Sequence, residues 1–177
     1  MMKLLLHSCC GPCSSSVIER LRDNYDITVL YYNPNIEPKD EYLKRKTDQI
    51  NYLQKIKIPY LEIDYLNEEF KNYIKGFEKE IEKGKRCTLC FELRLLKTAE
   101  IAKKNHFNYF TTTLTVSPHK DSNLINELGR KIADIHEINY LVEDFKKKGG
   151  YQRSMELVKQ HNLYRQNYCG CRYSKRG

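Results

Sequence analysis

The seven cysteines of this chain fall in three tight groups and nowhere else: Cys9-Cys10-Gly11-Pro12-Cys13, Cys87-Thr88-Leu89-Cys90 and Cys169-Gly170-Cys171. Thiols serving only as small core residues would be scattered along the sequence. Grouping of this kind gathers thiolates for metal, iron-sulfur or disulfide chemistry, so the chain is expected to fold around that gathering.

The compartment bears on which of these chemistries is available. Only Leu4, Leu5 and Leu6 follow Met1-Met2-Lys3 before the polar His7 and Ser8, too short an apolar run for an export signal or a lipoprotein leader. No stretch approaches the ~18 apolar residues of a membrane span. A cytoplasmic location without a membrane partner is expected, where structural disulfides are rare and grouped cysteines bind metal or do redox work. The odd number of cysteines agrees, since a disulfide framework uses them in pairs.

A chain of 177 residues with 40% hydrophobic content can bury one sizeable core, so a single domain over 1–177 is expected. Its 31 Lys+Arg against 23 Asp+Glu leave a formal charge of +8, accompanied by 14 tyrosines. Basic surface interleaved with aromatics suits nucleic acid, through phosphate neutralisation and base stacking. Lysine-rich solvated helices produce the same composition.

Strand and helix signals alternate. Residues 3–7 read as a buried strand, followed by the first cysteine loop and a helix capped by Ser14-Ser15-Ser16 and running to about Arg22. A strand over 27–32 is closed by the breaker-rich Asn33-Pro34-Asn35-Ile36-Glu37-Pro38. Helix 40–55 and strand 60–64 come next, then a helix over 67–83 interrupted near Gly76. Phe91, Leu95, Ala99 and Ala102 recur at helical spacing, which puts Cys87 and Cys90 at or just before a helix N-terminus. A strand over 109–114, a helix marked by Leu124, Leu128 and Ile132, a Gly149-Gly150 break, a short helix and an irregular C-terminal segment complete the chain. The pattern predicts an α/β fold, a parallel sheet with helices on both faces. Working groups in such folds lie at the carboxyl ends of strands, where the first cysteine group falls; a helix dipole there favours thiolates.

Cys9 and Cys10 together with Cys87 and Cys90 supply four thiolates, enough for tetrahedral zinc or a 4Fe-4S cluster. By spacing alone the two are equals, although zinc knuckles usually use spaced pairs on both sides. Cys169 and Cys171 would close a small strained ring if joined, and strained disulfides are the labile, redox-active kind. Cys10-Gly11-Pro12-Cys13, between a strand and a helix, also has the arrangement of a thioredoxin-like oxidoreductase. Two other functions therefore stand beside a metal enzyme: a metal-free thiol-disulfide oxidoreductase, and a zinc-stabilised RNA-binding module.

The combined pattern resembles one family. The strings Leu6-His7-Ser8-Cys9-Cys10-Gly11-Pro12-Cys13, Tyr32-Asn33-Pro34-Asn35-Ile36 and Arg86-Cys87 through Cys90-Phe91-Glu92-Leu93-Arg94-Leu95 resemble the cobalamin-independent epoxyqueuosine reductases, the QueH family. The likeness continues through Thr112-Thr113-Leu114-Thr115-Val116-Ser117-Pro118-His119-Lys120, Phe145-Lys146 and Gly150-Tyr151-Gln152-Arg153-Ser154. It ends with Tyr164-Arg165-Gln166-Asn167-Tyr168-Cys169-Gly170-Cys171 and Ser174.

The resemblance implies a nucleotide-hydrolase-like α/β sandwich and reduction of epoxyqueuosine to queuosine at the wobble position of tRNA. It implies that Cys9, Cys10, Cys87 and Cys90 ligate a 4Fe-4S cluster and that Cys169 and Cys171 form a redox-active pair. Family members can carry Asp where this chain has Cys13; either side chain can bind a second metal, an adjacent mononuclear iron. The partners implied are the anticodon loop of tRNA and an electron donor that the sequence does not identify.

Removing an epoxide oxygen as water takes two electrons and two protons. Lys120 and His119 are the leading candidate proton donors, with His7 and Tyr32 behind them. Candidate RNA contacts are Arg86, Arg94, Lys120, Arg153, Arg165 and Arg172, with Tyr151, Tyr164 and Tyr168 for base stacking. Lys146-Lys147-Lys148 reads as a solvated face or a backbone contact.

Overall fold

The computed structural model describes residues 1–175; positions 176 and 177 of the expected domain lie outside it. Strand β1 (Met2–His7) leads to helix α1 (Gly11–Leu21), β2 (Tyr25–Tyr31), α2 (Lys39–Ile56), β3 (Tyr60–Glu62) and α3 (Asn67–Tyr73). Helix α4 (Lys85–Lys104), β4 (Tyr109–Thr112), α5 (Ser122–His136), β5 (Asn139–Tyr140) and α6 (Gly150–His161) follow. The strands form one parallel sheet in the order β3-β2-β1-β4-β5.

Alternation along β1 explains the layers. Side chains of a strand point to opposite faces in turn, and Leu4 and Leu6 meet Val17, Ile18, Leu53 and Phe145 on one face of the sheet. Leu5 meets Leu95, Ala99, Ile125 and Ile132 on the other. All three leucines are fully buried, each contributing about 1.5–3 kcal/mol of burial free energy. The expected α/β sandwich with helices on both faces is present.

Strand order reverses between β1 and β4, and the carboxyl edge at such a switch point is the ligand crevice of doubly wound sheets. Cys9 and Cys10 leave β1 there, and Thr113, in a 3-10 turn over Thr113–Val116, leaves β4 beside them.

Several local expectations need correction. Helix α1 begins at Gly11, with extended Cys10 as its N-cap residue, so Ser14, Ser15 and Ser16 lie inside the helix. The Ser14 and Ser15 hydroxyls donate to the carbonyls of Gly11 and Pro12, at 2.9 and 2.8 Å. Pro12 starts the helix because its fixed φ suits the first turn and its missing N–H costs nothing there. The segment expected as helix over 67–83 stops at Tyr73, and turns carry the chain to Gly84. Cys87 and Cys90 sit within the first two turns of α4 and not ahead of it. Two-residue β5 was too short to leave a periodic signal.

Gly150 opens α6 where the chain turns back onto α1. A Cβ there would stand 1.7 Å from the Phe145 carbonyl oxygen, a backbone atom that cannot rotate aside. Gly150→Ala is expected to destabilise the fold by about 3 kcal/mol. Urea unfolding measures this, and a change within error would show that the 145–150 turn relaxes freely.

Candidate metal centre

The switch point brings the first cysteine group into one knot of thiols. The sulfur atoms of Cys9, Cys10 and Cys13 lie within 4.8 Å of one another, close enough to share a metal ion. Cys9 Sγ is 3.8 Å from Cys10 Sγ and 3.7 Å from the Thr113 hydroxyl, which also accepts the Cys9 N–H at 3.4 Å. Gln166 donates to Cys10 Sγ at 3.3 Å. Thr113 and Gln166 stood inside the quoted strings, but nothing in the sequence gave either a role at the thiols.

The second group, on α4, shares the core but lies outside that 4.8 Å gathering among the described residues. Cys90 is buried in the same core as Cys9, Cys10 and Cys171, and Cys13 and Cys87 pack against it. Cys87 Sγ accepts the Lys83 N–H at 3.2 Å. The third group arrives on the C-terminal segment, where Cys171 is buried and Cys169 exposed; all seven cysteines are free thiols.

The thiols are unequal. Hydrogen bonds from Cys10 and Cys13 hold the Cys9 pKa well below the ordinary value, with Lys120 and Arg94 adding attraction. Its contact with Cys13 favours ionisation of Cys10, yet the bond to Cys9 and burial outweigh it and push Cys10 up to about 12. Contact with Cys10 and Cys9 raises Cys13. Burial pushes Cys90 up to about 12 against the pull of Arg94, and burial raises Cys87 too. A bound cation would displace protons from this set, as metal binding to thiols does.

Arg45, which carries no signal in the sequence, docks the C-terminal segment. It is buried, pairs with Glu41 at 2.9 Å, and donates to the carbonyls of Cys169 and Tyr168, both at 2.9 Å. Glu37 accepts Arg172 at 2.7 Å, its N–H bonds the Gly170 carbonyl at 2.9 Å, and its carbonyl accepts the Tyr168 hydroxyl. Gly170 has φ +148, and a Cβ there would meet Ile36 at 3.0 Å and Asn35 at 3.1 Å. Arg45→Ala is expected to cost about 3 kcal/mol, because it removes the buried guanidinium that holds the Cys169 and Tyr168 carbonyls and pairs with half-buried Glu41. Limited proteolysis should then cut within 163–175 first; a segment as resistant as in the unaltered chain would refute the docking role.

The proton-donor candidates separate. His7 is fully buried between the Thr112 hydroxyl and the Tyr32 carbonyl, each 2.9 Å away, and burial pushes its pKa down to about 4. It is a neutral core histidine at pH 7. The Tyr32 hydroxyl is committed to Glu69 at 2.5 Å, and burial raises its pKa. Lys120 is half-buried; burial works against its charge, but Cys169, Cys9 and Cys13 together raise its pKa. His119 is exposed in the same loop.

Two proposed RNA contacts are overturned. Arg86 and Arg94 are each 2% exposed. Arg86 donates to the carbonyls of Glu78 and Glu80 and lies over the Tyr173 ring, 4.8 Å from its centroid. Arg153 is half-exposed and held by Glu19 and Glu156, each at 2.8 Å. The Tyr164 hydroxyl bonds Glu41, and Tyr168 packs beneath Arg45, so both rings serve the docking of the segment. Lys146 is an anchor, bound to Ser122 and Asp144, while Lys147 and Lys148 are exposed. Arg165 is exposed, 3.5 Å from the Tyr151 hydroxyl, and Arg172 is exposed next to Cys171 but held by Glu37 at 2.7 Å. Among the described residues no helix is long and apolar enough to cross a membrane.

Known proteins match this arrangement. The family model described as epoxyqueuosine reductase QueH matches residues 4–177. An epoxyqueuosine reductase QueH of Haemophilus influenzae is 44% identical over 176 residues, covering 98% of this chain and 72% of that protein. The Streptococcus pyogenes protein of the same name is 42% identical, covering 97% and 69%. That of Thermotoga maritima is 35% identical, covering 98% and 91%. A crystal structure titled a predicted subunit of tRNA methyltransferase from Methanocaldococcus jannaschii shares the fold at TM-score 0.56 and 13% identity, over 90% of this chain and 74% of that one. With the family model matching residues 4–177 and relatives 35–44% identical over nearly all of it, the chain belongs to the epoxyqueuosine reductase QueH family.

Proposed function

We propose that this chain reduces epoxyqueuosine to queuosine at the wobble position of tRNA, with residues 1–177 as one reductase domain. The observation that carries the reading is the knot of Cys9, Cys10 and Cys13 at the switch point of a chain belonging to this family, with one thiol of each group, Cys9, Cys90 and Cys169, acting on the same buried Arg94. The reaction breaks both C–O bonds of the epoxide, forms a C=C bond and releases the oxygen as water.

Cys9, Cys10, Cys87 and Cys90 would hold a 4Fe-4S cluster, with Cys13 beside it for a mononuclear iron. The donors fit in kind, thiols of two segments that both act on the buried cation Arg94, with half-buried Lys120 beside the first of them. When bound, the cluster supplies electrons one at a time, and a neighbouring iron supplies a Lewis acid. Lys120 keeps its ammonium beside the thiols, still acidic enough to protonate a departing hydroxide, since water has a pKa of about 15.7. His119, exposed in the same loop, is the second donor. Cys169 and Cys171 would relay electrons from a donor outside this chain. The anticodon loop would approach over the exposed Arg165 and Arg172, drawn by the +8 charge. Seven free thiols suit a reducing compartment, the cytoplasm.

A thioredoxin-like reading of Cys10-Gly11-Pro12-Cys13 fares worse on one observation. A two-thiol redox motif works with its own pair, whereas here a third thiol, Cys9, lies 3.8 Å from Cys10 Sγ and within 4.8 Å of Cys13 Sγ. Anaerobic loading with iron and sulfide should give a brown protein that converts an anticodon stem-loop carrying epoxyqueuosine, seen as loss of one oxygen by mass spectrometry. A colourless protein with stoichiometric zinc, or an unchanged stem-loop, would overturn the proposal.

A further inference from the structure

A buried guanidinium without a carboxylate is among the costliest groups a fold can carry. Arg94 is one. It is 2% exposed, and its hydrogen bonds run to neutral groups, the Cys90 carbonyl and the Asn33 side-chain oxygen, each at 3.3 Å. Its remaining terminal nitrogen, Nη2, has no partner among the described residues. Arg45, by contrast, is equally buried but bonded to Glu41.

The position of Arg94 suggests what compensates it. Asn33 donates to the Ser8 carbonyl at 2.8 Å, so one chain of hydrogen bonds runs from Cys90 through Arg94 and Asn33 to the residue before Cys9. The two segments that carry the cluster cysteines are thereby tied at the guanidinium. The groups that favour its charge are the thiols of Cys90, Cys169 and Cys9. Arg86, the other buried arginine of α4, is turned instead to carbonyls of the 74–84 turns.

We infer that Arg94 is the built-in counter-ion and positioning residue of the metal centre, joining its two cysteine segments and presenting Nη2 to the negative charge of the cluster and its thiolates. This rests on the reading that Cys9, Cys10, Cys87 and Cys90 hold a 4Fe-4S cluster. Four thiolates leave such a cluster net negative, and taking up an electron makes it more so. A fixed cation nearby favours the reduced form, and more strongly in a low-dielectric site than in water.

The test is the midpoint potential of the anaerobically loaded full chain, followed by visible absorption and electron paramagnetic resonance. Arg94→Gln should keep its iron and lower the ratio of reduced to oxidised cluster about tenfold at a fixed potential, about 59 mV for a one-electron couple. Arg94→Lys, which keeps the charge, should stay within about threefold of the unaltered protein. A glutamine variant with an unchanged midpoint overturns the inference. Should the glutamine variant bind no iron, a lysine variant that binds it supports the counter-ion role, and one that also fails assigns Arg94 to packing. Zinc without a redox band in the unaltered protein would overturn the cluster itself, a result separate from any effect of the variants.

Discussion

Replacing any one of Cys9, Cys10, Cys87 or Cys90 with Ala is expected to strip iron from the anaerobically prepared protein and abolish stem-loop reduction. Losing groups that merely orient ligands already costs about 10–100-fold in metal affinity, and losing a ligand itself costs more. Cys13→Asp is expected to keep the cluster absorption, because a carboxylate at that position can still bind the adjacent metal. Full iron and full turnover in Cys87→Ala and Cys90→Ala would confine the metal to the Cys9, Cys10 and Cys13 knot and remove the cluster from the mechanism.

The double variant Cys169→Ser, Cys171→Ser should behave in the opposite way: it keeps iron and the visible spectrum, performs a single turnover and loses multiple turnover. The C-terminal segment is held by Arg45 and Glu37 through bonds to main-chain atoms and to Arg172, none of them through sulfur, so serine leaves the docking intact. The charge of Cys169 acts on Cys87, Cys90 and Lys120, which puts the third group in the electrostatic reach of the second. A ring closed across one glycine is strained and readily reduced, unlike a structural disulfide. Single-turnover and steady-state assays with the same reductant separate the roles. Iron lost from the variant would make the pair ligands, and undiminished steady-state turnover would leave it only packing.

Much of this architecture was readable because it rests on local pattern. The leucine run of β1, the breaker-rich 33–38 segment and the helical spacing of Phe91, Leu95, Ala99 and Ala102 each encode burial with a period that a sequence displays. The cysteine groups announced the site because clustered thiols are rare without chemistry. Readings failed where the deciding partner lay elsewhere in the chain. Ser14 to Ser16 look like a helix cap until Pro12 is found starting the helix earlier. The charged 74–83 segment scans as helix, yet its carbonyls at Glu78 and Glu80 are turned to Arg86.

The sequence by itself determined an alternating α/β chain, thiol chemistry at the end of its first strand and likeness to one family of reductases. Only the tertiary structure decided that Arg94 and Arg86 are interior cations and not phosphate contacts, that Arg45 and Glu37 dock the third cysteine group, and that Thr113 and Gln166 bond the first group. The physical reason is that a side chain's type sets its charge and hydrogen-bonding capacity, whereas burial and the neighbours supplied by distant segments set its free energy. An arginine beside a cysteine reads the same in sequence whether it meets a phosphate in water or a thiolate in the core.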